Sequence, residues 1–410
     1  MVMTRSLERY VRHIWYVRHI RYVRHIRYIR YMRQIRYVRH ERYTWAGCAV
    51  VALGLALASD LGPHRVWGCV AGAGYAVAAV LACGARSRPA ARVVAVAGAV
   101  VVPLVSLVTA ELGQSEIRVV ERSGQLLLTT GSPYVADPTT VADFNPYLPG
   151  MALFGVLPGD ARWWLGSAFV AALAAAGLNR ARLLACPPIA LSLAVGGIDL
   201  PVVGLMCLGV VLAGQGRSGR AGLVLGSAAA LKWTAWPALP VALALIVVRR
   251  GGRPALRYAV VALSTATAAV LPFALADPAG FHRNVIAFPL GLTDTTSPAA
   301  SPLPGLLLAT YVPGGRVIAL ALLAVSALLI AVSLVAQPPG TARAAAARLA
   351  LGLGLAMALM PVSRFGYLVH PLVLGALAYR MTQRGSTPVG PATPATPVTP
   401  AAPSREKALV

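Results

Sequence analysis

The residues with chemistry to offer stand isolated in apolar sequence. Glu111, Glu116 and Glu121 follow one apolar run, in ELGQSEIRVVER. A carboxylate held where a hydroxyl arrives from water can take its proton as a general base. Glu116 is the preferred candidate because it begins a helical pattern just after the run, with Glu111 and Glu121 as alternatives. The competing reading is three ordinary solvated acids. Asp199, in GGIDLP, lies between apolar segments, where a carboxylate is costly unless water or a partner is near. A plain outer-surface acid is the alternative for it. Lys232, in AALKWTAWP, is placed to meet a phosphate near an interface; otherwise it snorkels to headgroups between belt tryptophans. Arg364, in PVSRFGYLVHP, has the planar fork that suits phosphate, against a role as interfacial anchor. His370, deeper in the same segment, reads first as a packed residue and second as a ligand contact. His282 and Arg283 read as solvated loop residues rather than substrate contacts.

Absences narrow the chemistry. The sequence has no Walker loop, no GxGxxG after a strand, no HExxH and no GxSxG. Its acids form no DxD cluster for a metal-bound sugar nucleotide, so no cofactor is expected and a divalent metal is unsupported. The five cysteines (Cys48, Cys69, Cys83, Cys186 and Cys207) form no CxxC or Cys/His pattern and read as small apolar residues.

The elements that must position these residues belong to a membrane. The chain is 57% hydrophobic and 12% charged, with a mean hydropathy of +0.68. Soluble domains average about 25% charged residues, so this chain lacks a soluble protein's surface. Apolar segments fall at 45–59, 66–84, 93–110, 162–178, 183–198, 200–214, 220–233, 235–248, 256–276, 316–336, 345–361 and 365–380. They predict an all-α polytopic protein of about 12 spans, within a range of roughly 10–13, after residues 1–44. The membrane domain then covers 45–383, and residues 384–410, with PATPATPVTP, read as a disordered tail.

The net charge of +24 does not point to nucleic acid, because the basic residues gather in the N-terminal tract and in alternate connections. That tract repeats RYVRHI and reads either as an anionic-lipid-binding segment or as repeat-expanded sequence ahead of the true start. With both ends inside, the inner connections GARSRPAAR, NRAR, GQGRSGR, RRGGRPALR and TARAAAAR are all basic, as the positive-inside rule requires. Apart from Glu8, Glu41 and Glu406, every acid then falls on the outer side of a plasma membrane or at its edge: Asp60, Glu111, Glu116, Glu121, Asp137, Asp143, Asp160, Asp199, Asp277 and Asp294. Two long outer loops, 111–161 and 277–315, must hold most of the non-membrane chemistry. Within the first, Ile117, Val120, Gly124, Leu127 and Leu128 recur at helical spacing and predict an amphipathic interfacial helix. Gly131-Ser132-Pro133 ends it, and Asn145-Pro146-Tyr147-Leu148-Pro149 makes a rigid turn.

The succession SEIRVVERSGQLLLTTGSPYV, FNPYLPGMALFG and GGIDLPVVGLMCLGVVLAGQGRSGRAGLVLGSAAALKWTAWP resembles glycosyltransferase family 87, the actinobacterial polyprenol-dependent mannosyltransferases of the GT-C superfamily. The resemblance covers roughly residues 93–380. It implies that Glu116 is the base, that Lys232 and Arg364 hold the donor phosphate, and that Tyr134, Asn145, Tyr147, Asp199 and His370 line the substrate site. It also implies a lipid-linked sugar donor and a glycolipid or polysaccharide acceptor at the outer face. The sequence departs from the family pattern in having Glu for the commoner Asp, in placing the loop after the third segment, and in lacking the Gln of a Gly-Gln-x-Asn stretch at Gly197-Ile198-Asp199-Leu200. A secondary transporter and a non-catalytic membrane protein are the rival readings; the first predicts internal repeats, and none is visible.

Overall fold

The computed structural model describes residues 41–84, 86–178, 181–295, 299 and 301–385. The basic tract up to residue 40 and the Pro/Ala/Thr tail from 386 lie outside the described residues. These form helices and connecting loops with no strand. Apolar sequence has no water to bond its backbone, and a helix satisfies those groups within the segment. Among the described residues, four helices are long and apolar enough to cross a membrane: Arg88–Thr109, Gly252–Ala276, Gly315–Ala336 and Ala342–Leu359. The other predicted segments are helical but do not meet that test, so helix length does not establish the count of about twelve. Pro187–Val195 shows why, because Pro187 and Pro188 start it late while Gly196 ends it in a left-handed conformation. The first described helix, 41–58, takes in four residues that the sequence assigns to the tail.

The core centres on Asp199–Gly214, which is buried on nearly every side. It packs against Ala161–Ala175, Ser218–Leu231, Ala238–Arg250, Ala342–Leu359 and Val369–Gly385. A helix that is apolar all round belongs inside such a bundle. Small residues set the closest approach. A Cβ on Gly222 would lie 2.7 Å from the Tyr258 carbonyl oxygen, and one on Gly226 only 2.5 Å from that of Ala262. This small-xxx-small stripe seats Ser218–Leu231 on Gly252–Ala276, because packing between membrane helices depends on close backbone contact.

The loops 111–161 and 277–315 are folded. Ser115–Thr130 is the predicted helix of the first, ended by left-handed Gly131, with Ile117, Val120, Ser123 and Gly124 buried. Leu128, assigned by its spacing to the apolar face, is instead exposed. The second loop forms Pro278–Phe281, a wide helical turn over His282–Ala287, and Pro304–Tyr311. Asn284 joins the loops: its buried Oδ1 accepts from the Asn145 backbone N–H at 2.9 Å, and its Nδ2 donates to the Gly280 carbonyl. Phe144 stacks on Phe288 at 4.3 Å between ring centres.

Candidate active site

The helices Asp199–Gly214 and Ser218–Leu231 run antiparallel through a short turn and have nearly equal lengths, 16 and 14 residues. Their far ends are therefore level. Asp199 opens the first and Lys232 follows the last residue of the second. Lys232 Nζ donates to Asp199 Oδ1 at 2.7 Å, and the two residues are 8% and 6% exposed. The carboxylate sits at a helix N-terminus and the ammonium at a helix C-terminus, the arrangement both helix dipoles favour. Lys232 therefore does not snorkel, and Asp199 is not a plain surface acid. Tyr367 and Tyr147 flank the ammonium, with ring centres 4.6 and 5.6 Å from Nζ. The aromatic faces hold the cation in place by their quadrupoles.

The glycines of GGIDLP determine how Asp199 is presented. The Gly196 and Gly197 N–H groups both donate to the Ser192 carbonyl, at 3.2 and 2.6 Å. Gly196 has φ of +109°, and a Cβ there would lie 2.2 Å from Ile117 Cγ1. Only glycine lets the helix Ser115–Thr130 settle this close to the Asp199 segment.

Glu116 lies in the first turn of that helix and pairs with Arg364, 248 residues away in sequence. Arg364 is positioned by its neighbours: the Phe365 N–H donates to Ser301 Oγ at 2.9 Å, and the Ser301 N–H donates to the Ser363 carbonyl at 2.9 Å. Arg162 sets the height of Glu116. It is 3% exposed, pairs with Asp160, and donates to the Leu112 carbonyl at 2.6 Å just ahead of the helix. Gln114, at the helix start, meets His64 Nε2 at 2.8 Å.

The two ion pairs share one centre. Tyr147 lies within electrostatic reach of Glu116, Asp199 and Arg364. Burial first, then the neighbouring Glu116 and Asp199 carboxylates, push its phenol well above the usual range. Asn145 and Tyr134 shape the turn around it. Asn145 Oδ1 accepts from the Tyr147 N–H at 3.1 Å, its Nδ2 donates to the Pro133 carbonyl, and Tyr134 Oη donates to the Tyr147 carbonyl at 3.0 Å. His370 is fully buried; its Nδ1 donates to the Tyr367 carbonyl at 3.2 Å, and Nε2 stands 3.7 Å from Asp199 Oδ1.

The other acids of the first loop have separate roles. Glu121 Oε1 accepts from the Ala161 N–H at 3.1 Å, capping Ala161–Ala175. Glu111 is exposed, with φ of 54°. His282 is exposed and Arg283 pairs with Asp137, tying the two loops at their surface. Among the described residues, no three His, Cys, Asp or Glu side chains gather as a metal site. Sequence reading overlooked Arg162, Asn284 and Tyr367. Arg162 carries a signal, since it is a basic residue two positions after an acid, Asp160, where the chain enters an apolar segment.

Chemically, the site offers one carboxylate on the 111–161 loop, two cations and flanking tyrosine rings, with a core carboxylate holding one cation. No curated protein and no solved structure matches the chain. Residues 138–362 match glycosyltransferase family 87, a stretch that contains Asn145, Tyr147, Asp199 and Lys232 and leaves Glu116, Tyr134, Arg364 and His370 outside it. That match spans more than half of the sequence, and with the apolar helices it establishes that the chain belongs to glycosyltransferase family 87, membrane glycosyltransferases of the GT-C type.

Proposed function

We propose that the protein transfers a sugar, mannose in our reading, from a polyprenyl-phosphate donor to a hydroxyl of a glycolipid or polysaccharide at the outer face of the plasma membrane. The observation that supports this reading most is the meeting of Glu116, Arg364, Asp199 and Lys232 around Tyr147. A reaction whose leaving group is a phosphate needs cations where that charge develops and a base where the hydroxyl arrives. The acceptor oxygen bonds to the anomeric carbon, the carbon–oxygen bond to phosphate breaks, and polyprenyl phosphate leaves with the electron pair. Glu116 takes the hydroxyl proton.

In this reading the donor phosphate replaces the Glu116 carboxylate on Arg364. Arg364 then passes from pairing with Glu116 to holding the donor, and Glu116 is released to accept the hydroxyl proton. Lys232 supports the departing charge, and Asp199 keeps the ammonium aligned. Tyr147 remains a neutral phenol and a hydrogen-bond donor. No nucleotide or metal cofactor enters the scheme.

The layout that goes with this function has about twelve crossings, within the range of roughly 10–13 read from the apolar segments. Both termini are cytoplasmic, the loops 111–161 and 277–315 are outside, and the basic N-terminal tract rests on anionic lipid. The experiment is transfer from radiolabelled polyprenyl-phosphate mannose in membranes carrying the protein, with Glu116→Gln alongside. Wild type should consume the labelled donor and the variant should not. Equal consumption by both, or none by wild type, would remove the assignment.

A further inference from the structure

The helix that ends at Lys232 begins, about 20 Å away, in a dense group of cations. Arg217 and Arg220 flank its first turn, Arg249 and Arg250 end Ala238–Arg250, and Arg253 and Arg257 open Gly252–Ala276. All six are exposed, and none forms an ion pair or side-chain hydrogen bond among the described residues. The carboxylate of Glu41 is already taken by Arg92 and Arg182. Two of the six are seated individually. A Cβ on Gly216 would lie 2.7 Å from Nε and Nη2 of Arg250, and one on Gly219 would lie 3.1 Å from Nε of Arg257. Between these glycines, Ser218 is 5% exposed and its Oγ has no partner.

Like charges this close repel one another and need a counter-anion. Left-handed Gly216 (φ +79°) shapes the turn, and with Gly219 it leaves room for the Arg250 and Arg257 guanidiniums to lie against the start of the helix. A guanidinium lying against the turn keeps its N–H groups free for a bidentate anion. We propose that Arg250 and Arg257, over Gly216 and Gly219, form a binding site for the phosphate of an anionic lipid headgroup at the membrane face opposite the candidate active site. Basic pockets between membrane helices on the cytoplasmic side are suited to such headgroups. The proposal stands without the glycosyl-transfer scheme, since it requires only that these helices span a bilayer.

The test uses the purified full chain in detergent, titrated with phosphatidylglycerol and followed by native mass spectrometry of retained lipid. Arg250→Gln/Arg257→Gln should raise the half-saturating concentration by roughly 30-fold, while the charge-matched Arg249→Gln/Arg253→Gln should raise it by roughly fivefold or less. Gly219→Leu keeps every charge, unseats Arg257 and should also weaken binding. Equal loss in the two charge-matched variants, an unaffected Gly219→Leu, or equal retention of phosphatidylcholine would overturn the site. In a second arm, displacement of the lipid by inorganic phosphate would identify the phosphate group as sufficient. Retention of lipid against phosphate would assign the site to intact headgroups in the membrane.

Discussion

Lys232 Nζ stands 2.7 Å from Asp199 Oδ1, joining the end of one core helix to the start of its antiparallel neighbour. Removing one partner from a buried pair leaves the other charge uncompensated, at a cost of about 3–5 kcal/mol. Asp199→Asn should therefore lower thermal stability by that order. Asp199→Leu/Lys232→Met, which removes both charges, should recover much of the loss while remaining inactive. Thermal unfolding in detergent checks the first outcome, and transfer assays check the second.

Arg364 is expected to act on the donor. Arg364→Lys keeps a charge but loses the bidentate fork, so donor KM should rise by about tenfold or more. The acceptor KM should change far less. Steady-state kinetics with each substrate varied separately distinguishes the two.

The helix Ser115–Thr130 rests on a contact between glycines. A Cβ on Gly155 would lie 2.0 Å from the Val120 carbonyl oxygen, and one on Gly124 would lie 2.1 Å from the Gly155 carbonyl carbon. Gly155→Ala should cost about 1–3 kcal/mol by forcing the helix away. At Gly54, where a Cβ meets nothing within 4 Å, Gly54→Ala should be neutral or stabilising by up to about 1 kcal/mol. Paired thermal midpoints check this contrast.

Asp160 gives a pH signature. Burial raises its pKa, but the hydrogen bonds and charge of Arg162 outweigh burial and hold it below the usual carboxylate range. A group with a depressed folded-state pKa contributes stability that is full above the unfolded value of about 3.9. That contribution is lost as pH falls further, through the folded value. Wild type should show an added acid-side loss below about pH 4, which Asp160→Asn should lack. Thermal midpoints measured across pH for both proteins check it.

Much of this site is legible in the sequence because its charges stand alone in apolar surroundings, where each needs a partner or a task. Asp199, Lys232 and Arg364 are visible for that reason. Partnerships are not visible in the same way. Glu116 and Arg364 are 248 residues apart, and only the placing of the helix Ser115–Thr130 beside the Ser363–Arg364 segment brings them together. Glu121 resembles Glu116 in sequence, yet its capping of Ala161 depends on where the chain returns to the bundle. Asn284 and Ser301 are ordinary loop residues until the second loop folds over the first. The extent of the spans is less legible, because Pro187, Pro188 and Gly196 shorten a helix that hydropathy alone extends over 183–198.

Consumption of radiolabelled polyprenyl-phosphate mannose by Glu116→Gln, measured against wild type at equal protein and with stability confirmed, bears most directly on the central claim. A lost general base predicts a fall in kcat of about 10²–10⁴ with donor KM close to wild type. A variant that turns over the donor at the wild-type rate would contradict the assignment of Glu116 as the base.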